Sequence, residues 1–300
     1  MLTIFTIPKA FYGLSEIIQT NAIKSWLFLS PQPEIILLGK DEGTADIASQ
    51  LGSKHITDIE CNQYGTPLVS SMFEIAQNAA SYSLMCYINA DIILMSDFMS
   101  AIRQIHMPSF LVIGQRWDVE LNALVDFNNA DWEADLRSLV EEKGKLHARS
   151  GIDYFVFNRG LYREIPSFAV GRTAWDNWLV YQARRLKAPL IDATASITAI
   201  HQNHDYSHNK DGHAGIWKGP EAELNLELAG GIRYAFTIEH ATWKLTRRGV
   251  KRALTARNLF FRLMAVAVLS PKMHFLFVPL RILSRLLINL RKRLGVTPKN

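Results

Sequence analysis

A mostly parallel α/β sheet flanked by helices is the fold this sequence predicts, and three observations predict it. The first sixty residues run strand, helix, strand, helix, strand, the alternation that crossover units of a parallel sheet produce. Leu84-Met85-Cys86-Tyr87-Ile88 is apolar throughout and bounded by polar residues, as a strand covered on both faces requires. With 300 residues, 48% of them hydrophobic, the chain can also bury one large core.

The elements follow in order. Leu2 to Ile7 is rich in β-branched and aromatic residues and stops at Pro8, which predicts a first buried strand. From Ser15 to Leu29 apolar residues recur at helical spacing, with Ser15 able to cap the start and Pro31-Gln32-Pro33 closing the end. Glu34 to Leu38 reads as a second strand, Gly39 to Gly43 as a loop, 44–51 as a short helix and His55 to Ile59 as another strand. Thr66-Pro67 then opens a helix to about Ala80, since proline suits the first helical turn and threonine can cap it. Beyond the strand at 84–88, Phe110 to Gly114, Tyr154 to Phe157 and Ile197 to Ile200 add short strands, and Thr173 to Leu186 a helix.

Charge is unevenly spread. Residues 240–300 hold 14 of the 33 Lys/Arg and none of the 28 Asp/Glu, so the net +5 conceals an acidic remainder at −9. Such a split points to a basic end that meets an anionic surface. Cys61 and Cys86 are too few for a disulfide framework, which fits a reducing compartment. The N-terminus shows no charged leader and no apolar stretch of signal-peptide length.

Asn89-Ala90-Asp91 directly follows the buried strand. Side chains alternate along an extended chain, so Asn89 and Asp91 point one way and Ala90 the other. Open α/β sheets bind ligands at the carboxyl ends of their strands, and two oxygen donors there suit Mg²⁺ or Mn²⁺ on a diphosphate. A turn in which both side chains merely satisfy backbone amides is the alternative.

The segment Tyr87-Ile88-Asn89-Ala90-Asp91-Ile92-Ile93-Leu94 closely resembles the strand and DxD-like motif of GT-A glycosyltransferases, family 2-like, with the preceding helix in the expected place. The likeness spans about residues 1–205. It departs at Asn89, which replaces the first acid and removes one negative charge from the metal site. The resemblance implies a GT-A catalytic domain over 1–236, with a nucleotide-binding half at 1–105 and an acceptor half and lid at 106–236. It also implies a nucleotide-sugar donor, a divalent cation, Mn²⁺ or Mg²⁺, and transfer to an acceptor hydroxyl with inversion. Asp41 would then read the base or ribose, with Pro8 and Lys9 in the same pocket; an ordinary solvated loop acid is the equal alternative for Asp41. Asn62, Gly65 and Thr66 precede a helix N-terminus that suits phosphate or ribose, or else form a plain cap.

Gly171-Arg172-Thr173-Ala174-Trp175-Asp176-Asn177-Trp178 combines a glycine turn, a cation and an acid between tryptophans, as sugar sites do. By the resemblance, Asp176 is the base that takes the acceptor proton, kept ionised by the helix N-terminus, while Arg172 and Trp175 hold the donor. A cap between core tryptophans is the alternative. His201, after the strand at 197–200, matches the histidine that closes the metal sphere in many members and would compensate for Asn89. His204 and Asp205 are supporting candidates, and a zinc site would need three or four close ligands. Residues 207–231, with His208, Lys210, His213, Trp217 and Lys218, read as a lid.

From Thr237 to 300 the spacing predicts a basic, amphipathic helical tail, with apolar runs too short to span a bilayer. A cytoplasmic enzyme peripheral to the inner, anionic face of a membrane is the expectation, against packing of the tail on the domain or a second subunit. Nucleic acid is not expected, because no such module is present. A nucleotidyltransferase would want a Gly-rich basic loop after the first strand, where Ile7-Pro8-Lys9-Ala10-Phe11 stands instead. A non-catalytic nucleotide-sugar-binding protein is the remaining alternative.

Overall fold

The computed structural model describes residues 1–204 and 214–270. In chain order these form β1 (Leu2–Thr6), α1 (Gly13–Leu27), β2 (Glu34–Leu38), α2 (Thr44–Gln50), β3 (Lys54–Ile56), α3 (Val69–Ala79) and β4 (Leu84–Ile88). Next come β5 (Ile92–Leu94), α4 (Asp97–Ile102), β6 (Leu111–Ile113), β7 (Trp117–Val119), α5 (Trp132–Lys143), β8 (Lys145–Leu146) and β9 (Tyr154–Asn158). The rest are α6 (Trp175–Arg185), β10 (Leu190–Asp192), β11 (Ala199–Gln202), α7 (Ala214–Trp217), α8 (Pro220–Leu228), β12 (Trp243–Thr246), β13 (Gly249–Arg252) and α9 (Ala256–Leu269).

A nine-stranded sheet runs β13-β12-β10-β6-β9-β4-β1-β2-β3. Its strands are parallel except β9, which pairs antiparallel with β4 and β6, and the edge strand β13, antiparallel to β12. The alternation of side chains across the pleat divides the core. Phe5, Met85 and Tyr87 face one side, with Phe73 of α3 and Leu179 of α6. Ile4, Cys86 and Ile88 face the other, with Trp26 of α1 and Phe98 of α4. A smaller sheet, β5-β11-β7-β8, sits at the end of β4 and carries its own cluster of Ile93, Val119, Trp132, Leu136 and Ile200.

Several boundaries differ from expectation. Thr66 and Pro67 lie outside α3: Pro67 pairs with Cys61, Leu68 pairs with Ala169, and the Val69 amide donates to the Phe168 carbonyl, so an extended stretch precedes the helix. The lid expected at 207–231 lies in part within the described residues. Its residues 220–228 form α8, where Asn225 is fully buried and holds both the amide and the carbonyl of Ala169. His208, Lys210 and His213 of that lid, and Asp205, lie outside the described residues.

The stretch after Thr237 is not simply a helical tail. β12 adds to the catalytic sheet beside β10, with β13 turned back against it. Lys244, Arg247, Arg248, Lys251 and Arg252 happen to recur at helical spacing, which mimics a helix face. Gly249 at φ 93° and Thr246, whose hydroxyl bonds the Gly249 carbonyl, make a turn instead. Of the expected helical segments, α9 is present and docked, through Asn258 to the Glu239 carbonyl and Arg257 to the Glu239 carboxylate at 2.8 Å. The remainder, 271–300, lies outside the described residues.

Candidate functional site

Because the strands from β3 to β12 share one direction apart from β9, their carboxyl ends meet along one edge, and the start of β9 joins them. That edge opens into a cleft of about 540 Å³, walled by Pro8 and Lys9 after β1, Asp41 after β2, Asn89 to Asp91 after β4, Arg116 after β6 and Asp153 before β9. β11 of the smaller sheet supplies His201, and the segment just after it supplies His204.

The centre of the cleft is a group of three donors. Asp91 Oδ2 lies 3.6 Å from His201 Nε2 and 3.2 Å from His204 Nε2, and ligand atoms of all three fit within 4.8 Å of one another. Asp91 Oδ1 is buried without a hydrogen-bond partner, a position that a cation would satisfy. Mixed nitrogen and oxygen donors suit Mn²⁺; the same trio meets the three-ligand count of catalytic zinc, with His204 as the third donor. Mg²⁺ would depend on Asp91 and the oxygens of a diphosphate.

Strand register sets this geometry. His201 stands in β11 itself, opposite Asp118 of β7 on one side and Ile92, next to Asp91, on the other. Asp118 Oδ1 lies 3.2 Å from His201 Nδ1, while its Oδ2 meets His147 Nδ1 at 2.7 Å. Burial opposes ionisation of Asp118, but the bonds from His201, His147 and Arg116 outweigh it and hold the carboxyl well below its ordinary range. Asp91 behaves alike: burial opposes its charge, and His201 and His204 more than offset that. Burial also opposes the charge on His201, yet the two carboxylates raise its pKa to about 9. A positive charge therefore belongs between Asp91 and Asp118.

Asn89, expected as a weak ligand, has another engagement. Its Oδ1 accepts from the Tyr87 hydroxyl at 2.9 Å and its Nδ2 donates to Asp153 Oδ1 at 2.8 Å. Asp153 also takes Arg116 at 2.5 Å. Asn89 thus ties the strand end to the neighbouring ion pair, and His204 takes the third place in the donor group. Ala90 is buried in the cleft wall.

Asp176, in the first turn of α6, is half-buried on the opposite wall. The expectation that the helix end keeps it ionised is corrected: burial pushes the carboxyl up to about 7, ahead of the opposing Asn177 amide, and the charge of Asp153 adds to the rise. A carboxyl poised there can exchange a proton near neutral pH. Trp175 beside it is packed edge-on against Tyr87 at 5.4 Å and is only 6% exposed. Trp217 of α7, 60% exposed on the cleft rim, is the freer aromatic surface.

Lys9 is held by its backbone, its amide donating to Gln19 Oε1 at 2.6 Å and its carbonyl accepting from Gln19 Nε2 at 2.9 Å. Burial lowers its ammonium pKa, with Asp91 pulling the other way; burial likewise raises the Asp41 carboxyl. Arg172 reaches the cleft, but its guanidinium is bound to Glu221 Oε2 at 2.7 Å. Asn62 and Gly65 are not cleft residues. Asn62 Oδ1 accepts the Tyr64 and Thr66 amides, closing a turn around Gly65, and its Nδ2 donates to Glu221 Oε1 at 2.6 Å. That turn braces the Glu221–Arg172 pair, and neither Asn62 nor Gly65 is among the described residues that line the cleft.

The sequence reading does not single out Arg116, Asp118, His147 or Asp153. Arg116-Trp117-Asp118 repeats the alternation of Asn89-Ala90-Asp91, and Asp153 immediately precedes an apolar strand; these polar signals beside strands point to Arg116, Asp118 and Asp153, and none marks His147.

No family model matches the chain, and no curated protein matches it. Among solved structures it is similar to the glucosyl-3-phosphoglycerate synthase from Mycobacterium tuberculosis in complex with Mn²⁺, uridine diphosphate and phosphoglyceric acid, at 15% identity over 77% of this chain and 79% of that one, TM-score 0.48. Mannosyltransferase PcManGT from Pyrobaculum calidifontis, in complex with GDP-Man and Mn²⁺, is similar at 13% identity over 66% and 56%, TM-score 0.41. S. aureus TarS 1-349 in complex with UDP-GlcNAc is similar at 9% identity over 76% and 64%, TM-score 0.46. These are distant likenesses, and what bears on function is the chemistry of the cleft itself.

Proposed function

We propose that the chain is a GT-A-type, inverting glycosyltransferase that moves a sugar from a nucleotide-sugar donor to an acceptor hydroxyl. One observation carries this reading: a single cleft at the carboxyl edge of the sheet holds both the donor group Asp91, His201 and His204 and a separate carboxyl, Asp176, poised near neutrality. Asp91, His201 and His204 would hold Mn²⁺, whose charge offsets that of a diphosphate. Lys9, Pro8 and Asp41 line the donor side. Asp176 accepts the proton of the acceptor hydroxyl as its oxygen bonds to the anomeric carbon, and the bond from that carbon to the diphosphate breaks, releasing the nucleoside diphosphate.

Nucleotide release from a panel of UDP- and GDP-sugars with Mn²⁺ tests this. Asp91→Ala should abolish Mn²⁺-dependent nucleotide binding in calorimetry, and Asp176→Asn should spare it while transfer falls at least about a hundredfold. Pyrophosphate release from a nucleoside triphosphate and a sugar phosphate would establish a nucleotidyltransferase instead. Nucleotide-sugar binding with no turnover on any acceptor would leave a binding protein.

A further inference from the structure

The hairpin β12–β13 carries more charge than its own fold can use. Five of its ten residues are Lys or Arg and none is acidic. Lys244 and Lys251 stand directly opposite one another in register, and both are exposed. Like charges in that relation destabilise a sheet pair, so an anionic partner would relieve the hairpin. Arg247 and Arg248 are exposed at its tip. Arg252 lies 4.0 Å from the centre of the Trp243 ring, and its side chain is exposed.

In sequence, exposed apolar residues follow directly on the hairpin. Leu254 is 63% exposed, and along α9 Leu259, Phe260 and Leu263 are 47%, 47% and 41% exposed. Leu259 and Leu263 are one turn apart with Phe260 beside them, so they form one stripe. The other side of α9 is committed: Asn258 and Ala265 are buried, and Phe261 packs on His240 at 5.2 Å. Beyond α9 the sequence continues with seven Lys/Arg in 271–300 and no Asp/Glu. Among the described residues no helix is long and apolar enough to cross a membrane.

Cations and large apolar side chains in one contiguous stretch match the two layers of an anionic bilayer surface, charged headgroups over acyl chains. We propose that the β12–β13 hairpin and the outer stripe of α9 dock this protein onto an anionic lipid bilayer. The hairpin meets the headgroups, and Leu259, Phe260 and Leu263 enter the acyl boundary. The surface is distinct from the Asp91 cleft, so the proposal stands or falls separately from glycosyl transfer.

Cosedimentation of the full chain with phosphatidylglycerol and phosphatidylcholine vesicles, at low and high salt, is the test. Binding to phosphatidylglycerol should be at least about tenfold stronger than to phosphatidylcholine and should fall as salt screens the hairpin. The exposed set Lys244→Gln/Arg247→Gln/Arg248→Gln/Lys251→Gln should lose at least about tenfold at low salt. Phe260→Ser/Leu263→Ser should remove the part of the binding that survives high salt. Circular dichroism melts report folding, and either set alone can decide if the other unfolds. Absence of binding to phosphatidylglycerol by the intact chain overturns the proposal, as does undiminished binding by both folded variants. Binding to RNA or DNA but not to vesicles assigns the charge to nucleic acid. A wild-type dimer that Phe260→Ser/Leu263→Ser makes monomeric, without vesicle binding, assigns the stripe to a second copy of the chain.

Discussion

Asp118 faces His201 across the smaller sheet, with its Oδ1 3.2 Å from Nδ1, and thereby leaves Nε2 as the nitrogen turned toward Asp91. The carboxylate orients the ring rather than touching the ligand space, the usual division between a metal-binding histidine and its supporting acid. Arg116 and His147 bind the same carboxylate at 2.9 Å and 2.7 Å, so Asp118 is itself fixed.

Asp118→Asn should therefore weaken Mn²⁺ binding by about tenfold to a hundredfold. Its effect on kcat should largely vanish at saturating Mn²⁺, because positioning is restored by mass action. Metal titrations of activity and calorimetry with Mn²⁺ and UDP or GDP check this. A kcat loss that no metal concentration rescues would show that Asp118 acts on the reacting groups.

Asp176 sets the expected pH dependence. A base must be deprotonated to work, and its pKa in the fold is about 7, so the rate should rise with pH and level off above an apparent pKa near 7. Profiles of kcat/KM for the wild type, and their loss in Asp176→Asn, give the measurement. A rate flat over about two pH units either side of 7, as a permanently ionised capping acid would give, rules out this role.

The same shift has a stability consequence of opposite sign to the usual carboxylate. Asp176 rises from 3.8 to about 7 on folding, so the unfolded chain releases its proton first and stability falls as pH climbs from about 4 to about 7. Asn carries no such penalty. Asp176→Asn should melt higher relative to wild type at pH 8 than at pH 4, by at most about 4 kcal/mol and less because the carboxyl is partly solvated. A melting difference that does not change with pH would place the carboxyl near its ordinary value.

What the sequence discloses depends on the length of each signal. β2 and β4 are legible to the residue because each is a continuous five-residue apolar or nearly apolar run, and the Asn89-Ala90-Asp91 alternation follows from β4 alone. His201 is legible only as a position near a strand end. Its partner Asp118 lies on β7, three residues long, too short to show a period, and nothing local links positions 118 and 201. Arg116 and Asp153 each carry a local polar signal beside a strand, but the ion pair between them, across 37 positions, is announced by neither. The hairpin at 243–252 misleads because its cations imitate helical spacing, whereas the deciding feature is the turn at Thr246 to Gly249. Asn62 and Gly65 mislead differently: Asn62 spends its side chain on its own turn and on Glu221, a bond across 159 positions that no local pattern announces.

Gly43 offers a test of how tightly the Asp41 loop is set. It has φ +81°, and a Cβ there would stand 2.7 Å from Phe11 Cβ, an atom held by its own backbone. Phe11 donates its amide to the Glu42 carbonyl, and the Thr44 amide donates to the Asp41 carbonyl. Gly43→Ala must therefore both adopt a left-handed conformation, about 1 kcal/mol, and push these two loops apart. Gly52 supplies the control, with φ +63° and open space around its Cβ, so Gly52→Ala carries the conformational part alone. Gly43→Ala should be destabilised by about 2–4 kcal/mol against about 1 for Gly52→Ala, in chemical denaturation. Because Asp41 lines the cleft, Gly43→Ala should also raise KM for the nucleotide sugar, while Gly52→Ala leaves it unchanged. Equal destabilisation by the two substitutions, with unaltered KM in both, would mean that the Phe11 loop yields freely and that Asp41 is not held in place for the donor.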